Sequence, residues 1–275
     1  MIAASPETGK TRPPSPPRPW TNTRIAGHVL MVVWILSGIS LIYYLGSNIQ
    51  STFFQKYWFK FVVGFVVTLQ IVSVSLLIGA ILSLVIALAR NSKQKIFAWP
   101  AYAYVYFFRG TPLIAQTFLI YYGAGSFRHE LEAVGLWTFF REAWYCVILA
   151  FSLNTSAYQA EILRGAILNV PKGQWEGASA LGLSRPVTFF KVILPQALMV
   201  ALRPYGNEII LMIKGSAIAS IVTIYDLMGE TRRAYSRSYD FQAYIWAAVL
   251  YLLIVETLRR VWDKIEARLT RHLKR

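Results

Sequence analysis

Apolar residues fall in six long runs along the chain, separated by short polar or basic segments. A helix that crosses a bilayer needs about 20 predominantly apolar residues. Six runs meet or approach this length, at 25–46, 61–89, 97–123, 143–163, 197–225 and 241–258. The pattern predicts an all-α, polytopic helical bundle with about six transmembrane helices.

The composition supports a membrane protein. Hydrophobic residues make up 56% of the 275 residues and charged residues only 15%, whereas soluble domains contain roughly 25% charged residues. This balance excludes a disordered chain and argues against a soluble one. A net charge of +15 in such a chain is more typical of basic cytoplasmic loops than of nucleic-acid binding. The single cysteine and three scattered histidines predict neither an internal disulfide nor a metal site.

The distribution of lysine and arginine predicts the orientation in the membrane. With the N-terminus inside, most basic residues fall in cytoplasmic segments and in the final segment 259–275, as the positive-inside bias requires. Both termini are therefore expected in the cytoplasm. Arg232, Arg233 and Arg237 fall outside and run against this bias.

Polar residues inside the predicted spans mark a possible translocation pathway, because such groups are costly in lipid. Those selected are Arg109, Thr111, Pro112, Asn154, Glu161, Asn207, Glu208 and Lys214. Glu208 and Lys214 lie about 120° apart on a helix and are not expected to pair directly. The charged groups could pair with another helix, line an aqueous cavity or lie near a membrane surface.

The pair Thr111–Pro112 interrupts the third span. It is interpreted either as an N-cap with proline at the first helical position or as a kink in a longer helix.

No catalytic site is predicted. Gly9-Lys10-Thr11 resembles the end of a phosphate-binding loop but lacks its upstream glycine. Neither a nucleophile–base group nor paired carboxylates are evident, so we expect no catalytic residue and no cofactor in this chain.

The segment between the fourth and fifth spans is the most informative. Pro171-Lys172-Gly173 predicts a turn, and 174–181 a short helix with Glu176 in its first turn. Gly182 is expected to end that helix, and a second helix to begin near Ser184.

This segment resembles the coupling loop of ABC importer permeases, whose motif is E-A-A-x3-G-x9-I-x-L-P. Glycine replaces the first alanine and Val192 replaces isoleucine. The motif positions are Glu176, Gly177, Ala178, Gly182, Leu194 and Pro195. Further similarity, at 108–113, 119–123, 153–158, 161–162 and 204–212, is to the polar amino-acid subfamily, in particular the M-type subunits of histidine/lysine–arginine–ornithine and opine permeases.

The resemblance implies the type I ABC importer permease fold, in which those six residues contact a pair of separate ATPase subunits. ATP and magnesium would bind those subunits. A second permease subunit, homologous or identical, and a periplasmic or extracellular solute-binding protein would complete the transporter. The substrate would be a polar amino acid, basic or opine-like. The chain would also contact membrane lipid, and nucleic acid is not expected as a partner.

Composition and the resemblance together divide the chain into four segments. These are a proline-rich disordered cytoplasmic tail (1–23), an additional first transmembrane helix with an external loop (24–58), the permease domain (59–258) containing the cytoplasmic coupling loop (164–195), and a basic cytoplasmic tail (259–275).

Two other functions are compatible with a membrane bundle. An ion-coupled secondary amino-acid carrier predicts paired intramembrane carboxylates or inverted repeats, and neither is visible. A non-transport protein, such as the anchor of a sensor, would need a soluble domain that is not evident.

Overall fold

The computed structural model describes residues 20–271, and no strand occurs among them. The α-helices are α1 Asn22–Asn48, α2 Thr52–Arg90, α3 Lys95–Gly110, α4 Leu113–Phe118, α5 Ala124–Ser126, α6 Arg128–Ala133, α7 Trp137–Phe140, α8 Ala143–Leu168, α9 Lys172–Ala180, α10 Arg185–Thr188, α11 Leu194–Gly215, α12 Leu227–Ser238 and α13 Gln242–Leu269. Two π-turns, Leu119–Gly123 and Phe189–Ile193, follow α4 and α10, and a 3-10 segment, Ser216–Val222, extends α11.

The chain divides into two compact units, Met1–Gln55 and Lys56–Arg275. In the first unit, α1 is 27 residues long and has no buried residue. It is apolar on all sides, which suits a helix surrounded by lipid. The proline-rich segment 1–23 lies outside the described residues except for its last four positions.

All six predicted spans are helical. Within residues 20–271, three helical stretches are long and apolar enough by themselves to cross a membrane, Asn22–Asn48, Thr52–Arg90 and Arg185–Val222. They correspond to the first, second and fifth predicted spans. The other three each have a feature that interrupts a purely apolar helix. The helix is broken within 97–123, 143–163 contains buried polar residues, and 241–258 has charged residues near its end.

Two predicted boundaries differ from the structure. The fifth span begins within a helical stretch that starts at Arg185 rather than at residue 197. The basic tail predicted from residue 259 continues as helix α13 to Leu269, because the alternating acidic and basic side chains there support helical pairs, Arg259 and Arg260 both binding Glu256.

The third span is broken, not kinked. Thr111 and Pro112 are both extended, with φ/ψ of −112°/147° and −64°/136°. Pro112 occupies the N-cap of α4, so the helix starts one position later than the interpretation of Thr111 as the N-cap assumed. The Thr111 hydroxyl instead closes α3 by donating to the Phe107 carbonyl at 2.8 Å.

Helix α8 forms the centre of the second unit. It packs against α3, α4 and α11, and small residues such as Ala157 and Ala160 on α8 are fully buried, as are Ala197 and Ala201 on α11. Small side chains allow membrane helices to approach closely. Gly79 of α2 serves the same purpose, since a Cβ there would overlap Thr155 of α8.

Helices α11 and α13 are joined by a close contact at Gly206. A Cβ on this glycine would overlap the indole of Trp262. The indole cannot easily move, because its Nε1 donates to the Leu202 carbonyl at 2.8 Å. An ion pair between Arg203 and Glu266 at 2.8 Å adds to the contact.

We expect Gly206→Ala to lower the thermal unfolding midpoint of the detergent-solubilised complex. Overpacking costs about 1–3 kcal/mol and exceeds the gain of roughly 1 kcal/mol from replacing a helical glycine. Gly165→Ala on α8 is the matched control, because a Cβ there meets nothing within 4 Å. Equal midpoints for the two variants would contradict the proposed contact.

Candidate functional site

The predicted coupling loop folds as two short helices joined at Gly182. Helix α9 ends in a left-handed residue, Gly182, with φ +71°. The N–H of Leu183 donates to the carbonyl of Ala178 at 3.1 Å and that of Gly182 to Ser179 at 3.0 Å. This pair of bonds is the Schellman motif, which favours glycine at the left-handed position. The structure therefore confirms the helix stop expected at Gly182.

Two expectations for α9 are corrected. The helix begins at Lys172, two residues before the predicted start, so Glu176 lies beyond its first turn and gains little from the helix dipole. Ala178 was expected to face a partner, but it is the one buried residue of α9. Its methyl group faces the permease itself, whereas Glu176 and Gly177 are exposed.

The end of the motif lies at the start of α11. Pro195 is exposed and lies two residues after Ile193, where the π-turn Phe189–Ile193 ends. Proline removes a helical hydrogen bond and crowds the preceding turn, and a π-turn is one way for a helix to accommodate such a site. Leu194 is half-buried at the same point, and Gln196 binds Gln174 of α9 through their amide groups at 3.2 Å. The coupling loop is thereby attached to α11.

A buried amide network surrounds the break between α3 and α4. The amide nitrogen of Gln116 donates to Thr111 Oγ1 at 2.7 Å and to the Phe108 carbonyl at 2.9 Å. Asn154 of α8 donates to the same carbonyl and to Gln116 Oε1, both at 3.0 Å. The last turn of α3 is thus satisfied by side chains of α4 and α8.

A second polar chain connects α8 to α11. The hydroxyl of Thr155 donates to Glu208 Oε1 at 2.8 Å and accepts from the Gln159 amide at 3.1 Å. All three side chains are buried. Glu208 therefore has a hydrogen-bond partner on a neighbouring helix.

Glu161 of α8 is the centre of a cluster of three arginines. Its carboxylate binds Arg164 at 2.9 Å, Arg90 of α2 at 3.2 Å and Arg109 of α3 at 3.9 Å. The Glu161 side chain is 14% exposed, whereas that of Arg109 is 44% exposed. Three guanidinium groups around one carboxylate leave an excess of positive charge.

Two cavities of about 430 Å³ each adjoin this cluster. Both are lined by Arg109, Tyr158 and Glu161; one lies between α2, α3 and α8, the other between α8 and α11. The guanidinium of Arg109 lies over the ring of Tyr158, 5.2 Å from its centroid. The arrangement suits a carboxylate-bearing ligand with an apolar or aromatic neighbour.

The predicted pathway residues are only partly brought together. Thr111, Pro112 and Asn154 meet at the helix break, and Arg109 and Glu161 meet at the cavities. Asn207 and Lys214 are exposed, and Lys214 makes no ion pair within residues 20–271. Sequence reasoning did not select Gln116, Thr155, Arg90 or Arg164. A signal was present for Gln116 and Thr155, which are polar residues within predicted apolar spans.

Residues 75–271 match the family described as binding-protein-dependent transport system inner membrane component. The match covers well over half of the chain, which therefore belongs to this family. The protein is a multi-pass inner-membrane permease subunit of an ABC importer. An ion-coupled carrier is not favoured.

Several named relatives are similar over most of their length. The nopaline transport system permease protein NocM of Agrobacterium fabrum is 44% identical over 208 residues, covering 75% of this chain and 86% of the relative. The arginine ABC transporter permease protein ArtM of Haemophilus influenzae is 40% identical, with 78% and 93% covered.

Solved structures support the fold. A crystal structure of an amino acid ABC transporter with histidines superposes with a TM-score of 0.69 at 34% identity, covering 78% of this chain and 95% of that one. The inward-facing MetNI methionine ABC transporter has a TM-score of 0.60 at 19% identity, with 80% and 97% covered, and supports the fold alone. The type I permease fold expected from the sequence is confirmed.

Replacing Glu161 by glutamine should destabilise the protein. The substitution leaves three neighbouring guanidinium groups without their shared carboxylate, and removing one partner of a buried charged contact costs roughly 1–3 kcal/mol. Glu132→Gln is the control, because its pair with Arg128 is exposed and is worth at most about 1 kcal/mol. Thermal unfolding of the purified complex measures both; similar small shifts would show that the cluster is not stabilising.

Proposed function

We propose that this chain lines the translocation pathway of an ABC importer for amino acids or opines, with cationic members preferred. A second permease subunit, homologous or identical, completes the pathway. A separate pair of ATPase subunits binds ATP and magnesium and supplies the energy. A solute-binding protein delivers the substrate on the outer face, and both termini of this chain lie in the cytoplasm.

The observation that carries this proposal is the geometry of the coupling loop. Helix α9 is attached to the permease by Ala178 and by the Gln174–Gln196 bond, and it presents the opposite face to the cytoplasm. That face includes Glu176, Gly177 and, at the turn, the 79% exposed Leu181. An exposed leucine beside a carboxylate on a short rigid helix suits insertion into a groove of another protein.

The polar sites of the second unit support an amino-acid substrate. Arg109 borders the cavities and can bind the carboxylate that every amino acid carries. Glu208 supplies a buried negative charge for a guanidinium or ammonium group, whereas Glu161 is already engaged by three arginines. Relatives named for nopaline, octopine and arginine transport support the same class of substrate.

The orientation is supported by the order of the elements. If α9 contacts ATPases in the cytoplasm, α11 crosses outward, α12 lies on the outer side, and α13 returns to the inner side. Residues 259–269 of α13, with the basic residues of the tail, then lie in the cytoplasm. The added helix α1 places the N-terminus on that side as well.

Gly182→Arg should abolish transport while the permease still inserts into the membrane. Any side chain at φ +71° carries a backbone penalty of about 1 kcal/mol or more, and arginine would also hold α9 away from its groove. Gly135→Arg is a matched control, because Gly135 is also left-handed at φ +73° with open space around it and lies on the opposite side of the membrane.

Glu176→Lys should reverse a charge-assisted contact with the ATPase and lower binding-protein-stimulated hydrolysis. Its control is Glu130→Lys, at an exposed position of α6. Reconstituted complexes allow ATPase assembly, stimulated hydrolysis and uptake to be compared. The coupling role is wrong if Gly182→Arg and Glu176→Lys retain normal values of all three.

Substrate preference should respond differently to two charge-removing variants. Arg109→Gln should raise the KM for cationic and neutral amino acids alike, by roughly tenfold, because a charged hydrogen bond to the shared carboxylate is worth about 1.5–3 kcal/mol. Glu208→Gln retains an acceptor for Thr155 and should reduce arginine uptake much more than glutamine uptake. Vesicle uptake with the cognate binding protein measures both. Uptake of a neutral sugar but of no amino acid would overturn the assignment.

A further inference from the structure

Helix α12 carries the arginines that run against the positive-inside bias. Its buried face consists of Leu227, Gly229, Glu230, Thr231 and Ala234. Arg232 and Arg237 are exposed, and neither forms an ion pair with a described residue. An arginine pair kept on the outer side of a membrane protein opposes the usual topology signal, which indicates a use for these charges there.

The carboxylates of the same segment do not neutralise this surface. Asp226 is fully buried and caps α12 by accepting from the Gly229 N–H at 2.8 Å. Glu230 is buried and binds Arg233 at 3.4 Å. Asp240 accepts from the Gln242 N–H at 2.9 Å. The acidic groups thus face inward or cap helices, and the outward charge is basic.

A second outer segment differs from α12 in this respect. Between α5 and α8, Arg128 binds Glu132 at 2.7 Å and Arg141 binds Glu142 at 3.3 Å. Both arginines are therefore paired within the chain. Of the outer-segment arginines that the structure describes, Arg232 and Arg237 on α12 are the two that form no ion pair with a described residue.

The platform beneath this surface is rigid. The N–H of Leu227 donates to Thr68 of α2 at 3.1 Å, and a Cβ on Gly64 of α2 would overlap the Asp226 carbonyl. Helix α12 also packs against α13. A rigid surface loses little conformational entropy when a partner binds.

The turn after α12 exposes an aromatic side chain at a strained residue. Tyr239 has φ +53° and is 81% exposed, and a left-handed backbone is unfavourable for a bulky residue. Phe241, two residues later, is 65% exposed. Tyrosine and arginine are enriched among the residues that dominate the binding energy of protein interfaces.

We propose that the exposed face of α12 together with Tyr239 and Phe241 is the docking surface for an acidic patch of the solute-binding protein. This inference rests on the proposed function and orientation. Arg232 and Arg237 attract the acidic patch and fix its register, and the aromatic pair supplies the apolar centre of the contact. Ser236, exposed on the same face, lies under the docked protein.

The first test uses complete complexes in proteoliposomes with the solute-binding protein that co-purifies with them. ATP hydrolysis is measured against the concentration of binding protein for Arg232→Gln/Arg237→Gln. The half-saturating concentration should rise about tenfold in about 50 mM salt with the maximal rate unchanged, and the difference should shrink in about 500 mM salt, because the screening length falls. The matched control, Arg128→Gln/Arg141→Gln, removes the same charge from paired arginines on the same side.

The second test is labelling from outside with a membrane-impermeant thiol reagent. The native Cys146 is fully buried, so an S236C variant should label at the new site, several-fold more slowly when the binding protein is present. S184C, in the cytoplasmic loop, should not label from outside.

Each other outcome contradicts the inference. An unchanged half-saturating concentration, or equal shifts in the variant and its control, excludes a specific role for α12. A change in hydrolysis without binding protein that depends on anionic lipid would assign the arginines to lipid headgroups. If S236C is labelled at the same rate with and without the binding protein, that protein does not cover α12. A wild-type complex that no binding protein stimulates would instead refute the proposed function, and the docking surface with it.

Discussion

The hydrogen bonds that Gln116 and Asn154 donate at the break between α3 and α4 are the constraint on which the inner part of the bundle depends. Backbone groups within a bilayer have no water to bind, and each unsatisfied one costs several kcal/mol. Both amides reach the Phe108 carbonyl, within 3.0 Å, so the irregular backbone is satisfied by neighbouring helices. The break can therefore lie inside the bundle, and α8 is fixed against α3 and α4 by the same bonds.

Charge organises the ends of the helices in a comparable way. Glu161 connects α8 to α2 and α3, and Arg203 connects α11 to α13 through Glu266. The first cluster is largely shielded from solvent and retains excess positive charge, whereas the second involves an 84% exposed arginine and adds little by itself. The Glu161 cluster therefore holds α2, α3 and α8 together beside the two cavities.

The two surfaces assigned to partners lie at opposite ends of one helical stretch. Arg185–Val222 has 38 residues, which at 1.5 Å per residue gives about 57 Å, longer than the roughly 30 Å hydrocarbon core. The coupling loop precedes it and α12 follows it. Close packing of Gly206 on Trp262 joins this stretch to α13. This continuity gives a physical route between the proposed ATPase contact at one end and the proposed docking surface at the other.

The sequence alone determined the helical segments, the stop at Gly182 and the class of transporter, because apolar run length, glycine at a left-handed helix end and motif spacing are local properties. It did not determine which polar residues meet. Gln116, Arg90 and Arg164 were not selected, and Ala178 was assigned to a partner although it faces the permease. These outcomes depend on helix rotation and crossing, which are set by packing between residues far apart in the chain, such as Gly79 on Thr155. Tertiary structure therefore decided the network at the break, the arginine cluster and the outward face of α12.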